Sequence, residues 1–186
     1  MADAPRIVGI GGTLRPQSST ESAVADVLKF ARDLGAETVL IGGGDLEMPF
    51  YSTLDTSRTP KAEALVDALR TANGVVIGSP GYHGGVSGLV KNALDYAEDL
   101  RDDARPYLDG RVVGLVASAA GDQAGMTTLG MLRDITHALR GIPTPYGCIF
   151  NAADRSPEAV AGRQKKLQLL AGQVVEVAKA LKHAQA

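Results

Sequence analysis

Strand-like apolar runs and helical patterns alternate along the whole chain, and this alternation limits the fold more than any other feature. The runs cover residues 7–10, 38–41, 74–79, 112–117 and 146–150. The first and third are too short and too continuously apolar for amphipathic helices. They suit strands covered on both faces. Between the runs, apolar residues recur at helical spacing. Val24, Val27, Leu28, Ala31 and Leu34 form one such set, stopped by Gly35. Leu65, Val66, Leu69 and Ala72 form the next, opened by Thr59-Pro60 and closed by Asn73-Gly74. A hydroxyl N-cap before a first-turn proline is a helix start, and glycine is a common stop. Leu89, Val90, Ala93, Leu94 and Ala97 mark a third helix. Leu129, Leu132, Ile135, Thr136 and Leu139 mark a fourth, ending near Gly141. A last helix starts at Ser156-Pro157-Glu158 and runs to about residue 182. Residues 98–109 are charged, break the pattern and read as a surface excursion.

A strand–helix order repeated five times implies a parallel sheet with helices on both faces, because parallel strands need crossover helices. The expected class is α/β: a doubly wound, five-stranded parallel sheet of flavodoxin-like order 2-1-3-4-5, forming one domain over residues 1–186. Ligands in this architecture bind beyond the carboxyl ends of the strands. The loops after the first, third and fourth strands all bear glycines, and all fall at that edge.

Bulk properties exclude several classes. A net charge of −2 argues against a nucleic-acid binder. One cysteine, Cys148, rules out an internal disulfide framework and fits a reducing compartment. No apolar segment long enough for a leader or a membrane span is visible, so a cytoplasmic protein with no membrane partner is expected. His83, His137 and His183 are scattered, with no cysteine or carboxylate at ligand spacing, so no metal is expected. No Gly-x-Ser-x-Gly elbow is present. Gly11-Gly12-Thr13 occupies the place where a phospho-receiver domain needs paired acids.

The first loop can hold an anion. Gly11 and Gly12 let the backbone approach a ligand closely. Thr13, Ser18 and Thr20 offer hydroxyls, and Arg15 offers a fork suited to phosphate oxygens. The following helix points its positive end at the same volume. An ordinary capped helix start is the alternative. The segment is neither a P-loop, since no Gly-Lys-Ser/Thr follows, nor a dinucleotide fingerprint, since the third glycine is missing. The second loop, Gly81-Tyr82-His83-Gly84-Gly85-Val86-Ser87-Gly88, combines exposed backbone groups with an aromatic face, as a flat heteroaromatic ring requires. A tight turn in which Tyr82 merely packs is the alternative. The third loop, residues 118–125, adds Ser118, Gly121 and Gly125.

Two segments resemble a known family. Gly12-Thr13-Leu14-Arg15-Pro16-Gln17-Ser18-Ser19-Thr20 is similar to the Gly-Ser-x-Arg-x-x-Ser-x-Asn phosphate loop of NAD(P)H-dependent FMN reductases. Residues 79–96, from Ser79-Pro80-Gly81-Tyr82-His83-Gly84 to Leu89-Val90-Lys91-Asn92-Ala93-Leu94-Asp95-Tyr96, resemble their Pro-Glu-Tyr-Asn-x-Ser…Leu-Lys-Asn-Ala-Leu-Asp segment. Here Thr13 replaces serine, Thr20 replaces asparagine, Gly81 replaces glutamate, His83 replaces asparagine and Gly85 replaces serine.

The resemblance implies a flavodoxin-like flavoprotein oxidoreductase that uses FMN, with NADPH or NADH as hydride donor. It places Thr13, Arg15, Ser18, Ser19 and Thr20 at the FMN phosphate. Pro80, Gly81, Tyr82, His83 and Gly84 would border the isoalloxazine ring and ribityl chain. Ser118 and Gly121 would close the other side. No catalytic side chain is nominated, since the chemistry belongs to flavin N5. Hydride would pass from NAD(P)H to the flavin and then, in a ping-pong cycle, to free FMN or another small-molecule acceptor. The partner could be a flavin-dependent monooxygenase. A quinone, azo or chromate reductase that retains its FMN is the enzymatic alternative. A flavodoxin-like electron carrier is the non-enzymatic one, although carriers are usually more acidic than a chain of pI about 5.9. The resemblance also implies a homodimer or homotetramer, with residues 100–107 as a candidate contact.

Overall fold

The computed structural model describes residues 4–184. Residues 1–3, the start of the stretch read for a leader, lie outside them. In chain order the elements are β1 (Arg6–Gly11), α1 (Ser19–Asp33), β2 (Glu37–Gly42), α2 (Pro60–Thr71), β3 (Gly74–Tyr82) and β4 (Gly85–Val86). Then come α3 (Gly88–Asp95), β5 (Val112–Ala119), α4 (Asp122–Ala138), β6 (Ile142–Asn151) and α5 (Pro157–Ala184). Single 3-10 turns follow β2 (Gly43–Leu46) and α3 (Tyr96–Leu100).

The sheet order is β2-β1-β3-β5-β6, with β4 attached to β3. The five parallel strands, counted without β4, therefore run 2-1-3-4-5 as expected. Side chains alternate between the two sheet faces. Ile7, Val76, Val112 and Val116 pack under Val24, Val27 and Leu28 of α1 and Leu167, Leu170 and Val174 of α5. Val8, Ile10, Val75, Ile77, Val113 and Leu115 pack under α2, α3 and α4 through Leu65, Leu69, Val90, Leu94, Leu129 and Leu132. Each such aliphatic side chain contributes about 1.5–3 kcal/mol on burial. Helix α1 sits close to the sheet because β3 offers no side chain there. A Cβ on Gly78 would lie 2.4 Å from Val24 Cγ2.

Three segments depart from the sequence expectation. Strand β3 continues through Pro80 to Tyr82. At Pro80 it pairs only with β5, since its ladder with β1 ends at Gly11 and Gly78, so the missing proline N–H disrupts no second ladder. Strand β6 starts at Ile142 and carries Pro143 and Pro145, which an edge strand tolerates. Its register against β5 shifts between Val113 and Leu115. Residues 98–109 are not simply an excursion. Leu100 and Leu108 are fully buried, and Arg111 just beyond donates to the carbonyls of Leu69 and Arg70 at 2.9 and 2.8 Å.

Candidate functional site

The site is built at the carboxyl edge of β1, β3 and β5. Ser18 caps α1, its Oγ accepting from the Glu21 N–H at 3.2 Å. That leaves the first-turn amides of Ser19 and Thr20 without helical acceptors. Thr13 Oγ1 accepts from the Arg15 N–H at 3.2 Å and fixes the turn before the helix. Gln17 adopts a left-handed φ of 53°, which brings the chain back onto the helix axis. Ser19 Oγ lies 3.4 Å from Ser118 Oγ, so the first and third loops meet directly.

The second loop is a hairpin. β3 and β4 pair through Tyr82 and Gly85, leaving His83 and Gly84 as a two-residue connection. Both have positive φ, 52° and 81°, the signature of a type I′ turn that matches the strand twist. Ser79, fully buried, accepts from the Ser87 N–H at 3.0 Å and ties the hairpin back to β3. Tyr82 is held outward and 57% exposed, so it does not pack into the core.

These elements enclose a cleft of about 450 Å³, within the range of ligand pockets. Thr13, Arg15, Ser18, Ser19, Thr20, Pro80, Gly81, Tyr82 and Ser118 line it. His83, Gly84 and Gly121 do not. The first two are the hairpin tip, and Gly121 is the exposed N-cap of α4. Ala119, Ala120 and Ala152 also line the cleft and were not foreseen. A small apolar residue at a strand end carries no chemical signal in sequence. The third loop is shorter than expected, because α4 starts at Asp122 and takes Gly125 into its first turn.

Arg15 is the one charged side chain among the residues lining the cleft. The rest of the donor set is hydroxyls and unpaired helix amides. Such a site suits an anion at the α1 end and a flat, largely apolar ring between Pro80, Tyr82 and the alanines. A second cavity of about 370 Å³ shares Thr13, Arg15 and Tyr82 with the first and adds Leu14, Gly88 and Leu89. Gly81 explains one departure from the resemblance. A Cβ there would meet Thr128 Oγ1 at 2.8 Å and Ala119 Cβ at 3.1 Å, so the usual glutamate has no room.

Residues 49–58 form a strap tied to α3 and the 3-10 turn after it. Asn92 accepts from the Tyr51 N–H at 2.9 Å and donates to the Pro49 carbonyl at 2.9 Å, and Tyr96 Oη donates to that carbonyl at 3.0 Å. Asn92 belongs to the Lys91-Asn92-Ala93-Leu94-Asp95 segment, whose sequence alone suggested no role for its amide.

The model of the NADPH-dependent FMN reductase family matches residues 5–154. The chain belongs to this family. Membership makes it an oxidoreductase whose cofactors are FMN and a nicotinamide donor. It is 30% identical over 130 residues to an iron-sulfur flavoprotein of Methanocaldococcus jannaschii, covering 66% of each chain. It is 25% identical over 145 residues to an FMN reductase (NADPH) of Pseudomonas aeruginosa, covering 77% of this chain and 75% of the other. An oxidoreductase from Corynebacterium diphtheriae superposes with a TM-score of 0.75 at 19% identity, over 94% of this chain and 97% of that one, and shows the shared fold. An iron-sulfur cluster held by four cysteines does not fit this chain. Its one cysteine, Cys148, is buried. Among the described residues no group of three His, Cys, Asp or Glu could hold a metal ion, and no helix is long and apolar enough to cross a membrane.

Proposed function

We propose that the cleft binds FMN with its phosphate at the start of α1, and that the adjoining cavity admits a nicotinamide donor and an electron acceptor in turn. The observation that carries this reading is the donor set: one arginine, unpaired α1 amides and hydroxyls, with no carboxylate lining the cleft. When bound there, FMN supplies hydride acceptance at N5 and release of the electrons to an acceptor. The protein's part is positional. Ser19, Thr20 and the helix end receive the phosphate charge. Pro80, Gly81 and Tyr82 orient the ring from one side, and Ser118 with Ala119 closes the other. Tyr82, exposed and shared by both cavities, stands between cofactor and donor. A shared cavity supports a ping-pong order, in which donor leaves before acceptor enters. Free FMN is the favoured acceptor, and a quinone or azo compound is the alternative. The assembly is a homodimer or homotetramer working in the cytoplasm.

The test is to titrate FMN into the purified chain and follow NADPH and NADH oxidation with and without added FMN. Saturation by FMN as a substrate supports the flavin reductase. Turnover of quinone with FMN retained supports the alternative. A chain that neither binds FMN nor oxidises a nicotinamide refutes both. Arg15→Ala should weaken FMN binding by about 1.5 kcal/mol, roughly tenfold in Kd, the lower end for a charged hydrogen bond because Arg15 is exposed. Unchanged affinity removes Arg15 from the phosphate site.

A further inference from the structure

A separate cavity of about 160 Å³ opens between the end of β6 and the second turn of α5. It is too small for a whole cofactor, since ligand pockets start near roughly 300 Å³. It does have room for one charged group. Arg163 and Lys166 supply two cations, and Asn151 supplies an amide. The Arg163 guanidinium carbon lies 5.1 Å from the centroid of the Phe150 ring, a cation–π contact. Its Nε is buried and has no hydrogen-bond partner. Among the described residues, neither Arg163 nor Lys166 makes an ion pair. The one carboxylate in the lining, Asp154, accepts from the Ser156 N–H at 3.0 Å. It offsets only one of the two positive charges.

A buried donor without a partner carries a desolvation cost of about 1–3 kcal/mol. The side chain that carries it is part of the cavity lining. Gly162 lines the cavity, and a Cβ on it would meet nothing within 4 Å. A glycine inside a helix is itself unfavourable by about 1 kcal/mol, and this one leaves the cavity unfilled. The cavity also adjoins the flavin cleft. Phe150 and Asn151 pair with Ser118 and Ala119, two cleft residues on the neighbouring strand. Adjacent strands are roughly 4.8 Å apart.

We propose that Arg163, Lys166 and Asn151 form a second anion subsite that takes a phosphate group. The fork, the ammonium and the amide together match the oxygens of a phosphate dianion. The group comes either from the 2′-phosphate that distinguishes NADPH from NADH or from free phosphate in solution. The first source rests on the nicotinamide chemistry proposed above, and the second does not.

The test uses the full chain and three variants: Arg163→Gln, Lys166→Gln and Gly162→Leu. Gly162→Leu fills the cavity and leaves every charge in place. Calorimetric titrations with adenosine 2′,5′-bisphosphate and with inorganic phosphate measure binding directly, and KM is measured for NADPH and NADH. The expected result is a loss of about tenfold or more in bisphosphate affinity in all three variants, with FMN affinity unchanged. A matching rise in KM for NADPH but not NADH identifies the donor as the source. Loss of inorganic phosphate binding with both KM values unchanged identifies free phosphate. If the parent chain and the variants bind both probes equally, or none binds either, the subsite is refuted. A chain that binds the bisphosphate through these residues but oxidises neither nicotinamide overturns the proposed activity and leaves the subsite standing.

Discussion

Replacing Gly81 with alanine tests the packing that shapes the cleft. The added Cβ would sit 2.8 Å from Thr128 Oγ1, 3.1 Å from Ala119 Cβ and 3.2 Å from the Ala124 carbonyl oxygen. None of these can retreat easily. Thr128 is fully buried, and its hydroxyl donates to the Ala124 carbonyl at 2.7 Å. Ala119 is fixed by the β5–β6 ladder. Overpacking of this kind costs about 1–3 kcal/mol. Gly81 is not among the left-handed positions, so alanine also stiffens the unfolded chain, an offset of about 0.4–1 kcal/mol. The net loss should be about 1–2 kcal/mol, or about 2–8 °C in Tm for a chain of this length. Thr128→Ala alone loses one buried hydrogen bond, about 1 kcal/mol. In the double variant the shortest clash disappears with the hydroxyl, so the two costs should fall short of their sum by about 1 kcal/mol. Urea unfolding of the four proteins measures this coupling. Additivity within about 0.5 kcal/mol would refute the assignment of Thr128 as the group that excludes a side chain. Gly81→Glu, which restores the residue usual in the resembling family, should destabilise at least as much and weaken FMN binding.

Cys148 gives a pH-dependent prediction. Burial pushes its thiol from 9.0 up to about 11, with Lys166 and Arg163 partly opposing. Between those values the unfolded chain loses the proton and the folded chain keeps it, so stability is full below pH 9 and falls as pH rises toward 11. The effect is on the order of 3 kcal/mol. Urea midpoints between pH 8 and 11 should fall in the parent chain and stay flatter in Cys148→Val, and equal slopes would contradict the argument. Arg58 anchors the strap with a two-point pair to Asp99 at 2.6 and 2.9 Å, and it lies 5.0 and 5.4 Å from the Tyr51 and Tyr96 ring centres. The pair is largely buried, at 14% and 20% side-chain exposure. Arg58→Ala should therefore cost about 2–3 kcal/mol, somewhat less than breaking a fully buried pair. It should also open residues 49–58 to limited proteolysis. Arg58→Lys keeps the charge without the fork and should recover less than half of the loss, and a parent-like digestion pattern in both variants would show that Arg58 does not hold the strap.

The parallel order was legible because it rests on periodicity, which local sequence carries. The apolar runs at 74–79 and 112–117 could only be strands buried on both faces, and both are fully buried in the sheet. What the sequence concealed depends on partners far along the chain. Pro80 reads as a stop, yet it sits within a strand because the β1 ladder has already ended beside it. Pro143 and Pro145 read as loop, yet they sit on an edge that requires fewer donors. His83-Gly84 reads as part of a glycine-rich cradle. It becomes a hairpin tip because Gly85 and Val86 turn back along β3, a pairing too short to leave a periodic trace. The cleft divides in the same way. Thr13, Arg15, Ser18 and Thr20 were legible as cleft-lining positions because donors are visible as residue types, and Ser19 came with the family resemblance. Ala119, Ala120 and Ala152 were not, because their contribution is the absence of bulk at three strand ends that only the fold brings together. Gly162 follows the same logic outside the cleft. A glycine inside a helix carries no chemical signal in sequence; in the structure it leaves open space in the cavity that Arg163 also lines. Residue types thus announce where donors gather, and small residues, silent in sequence, decide where there is room.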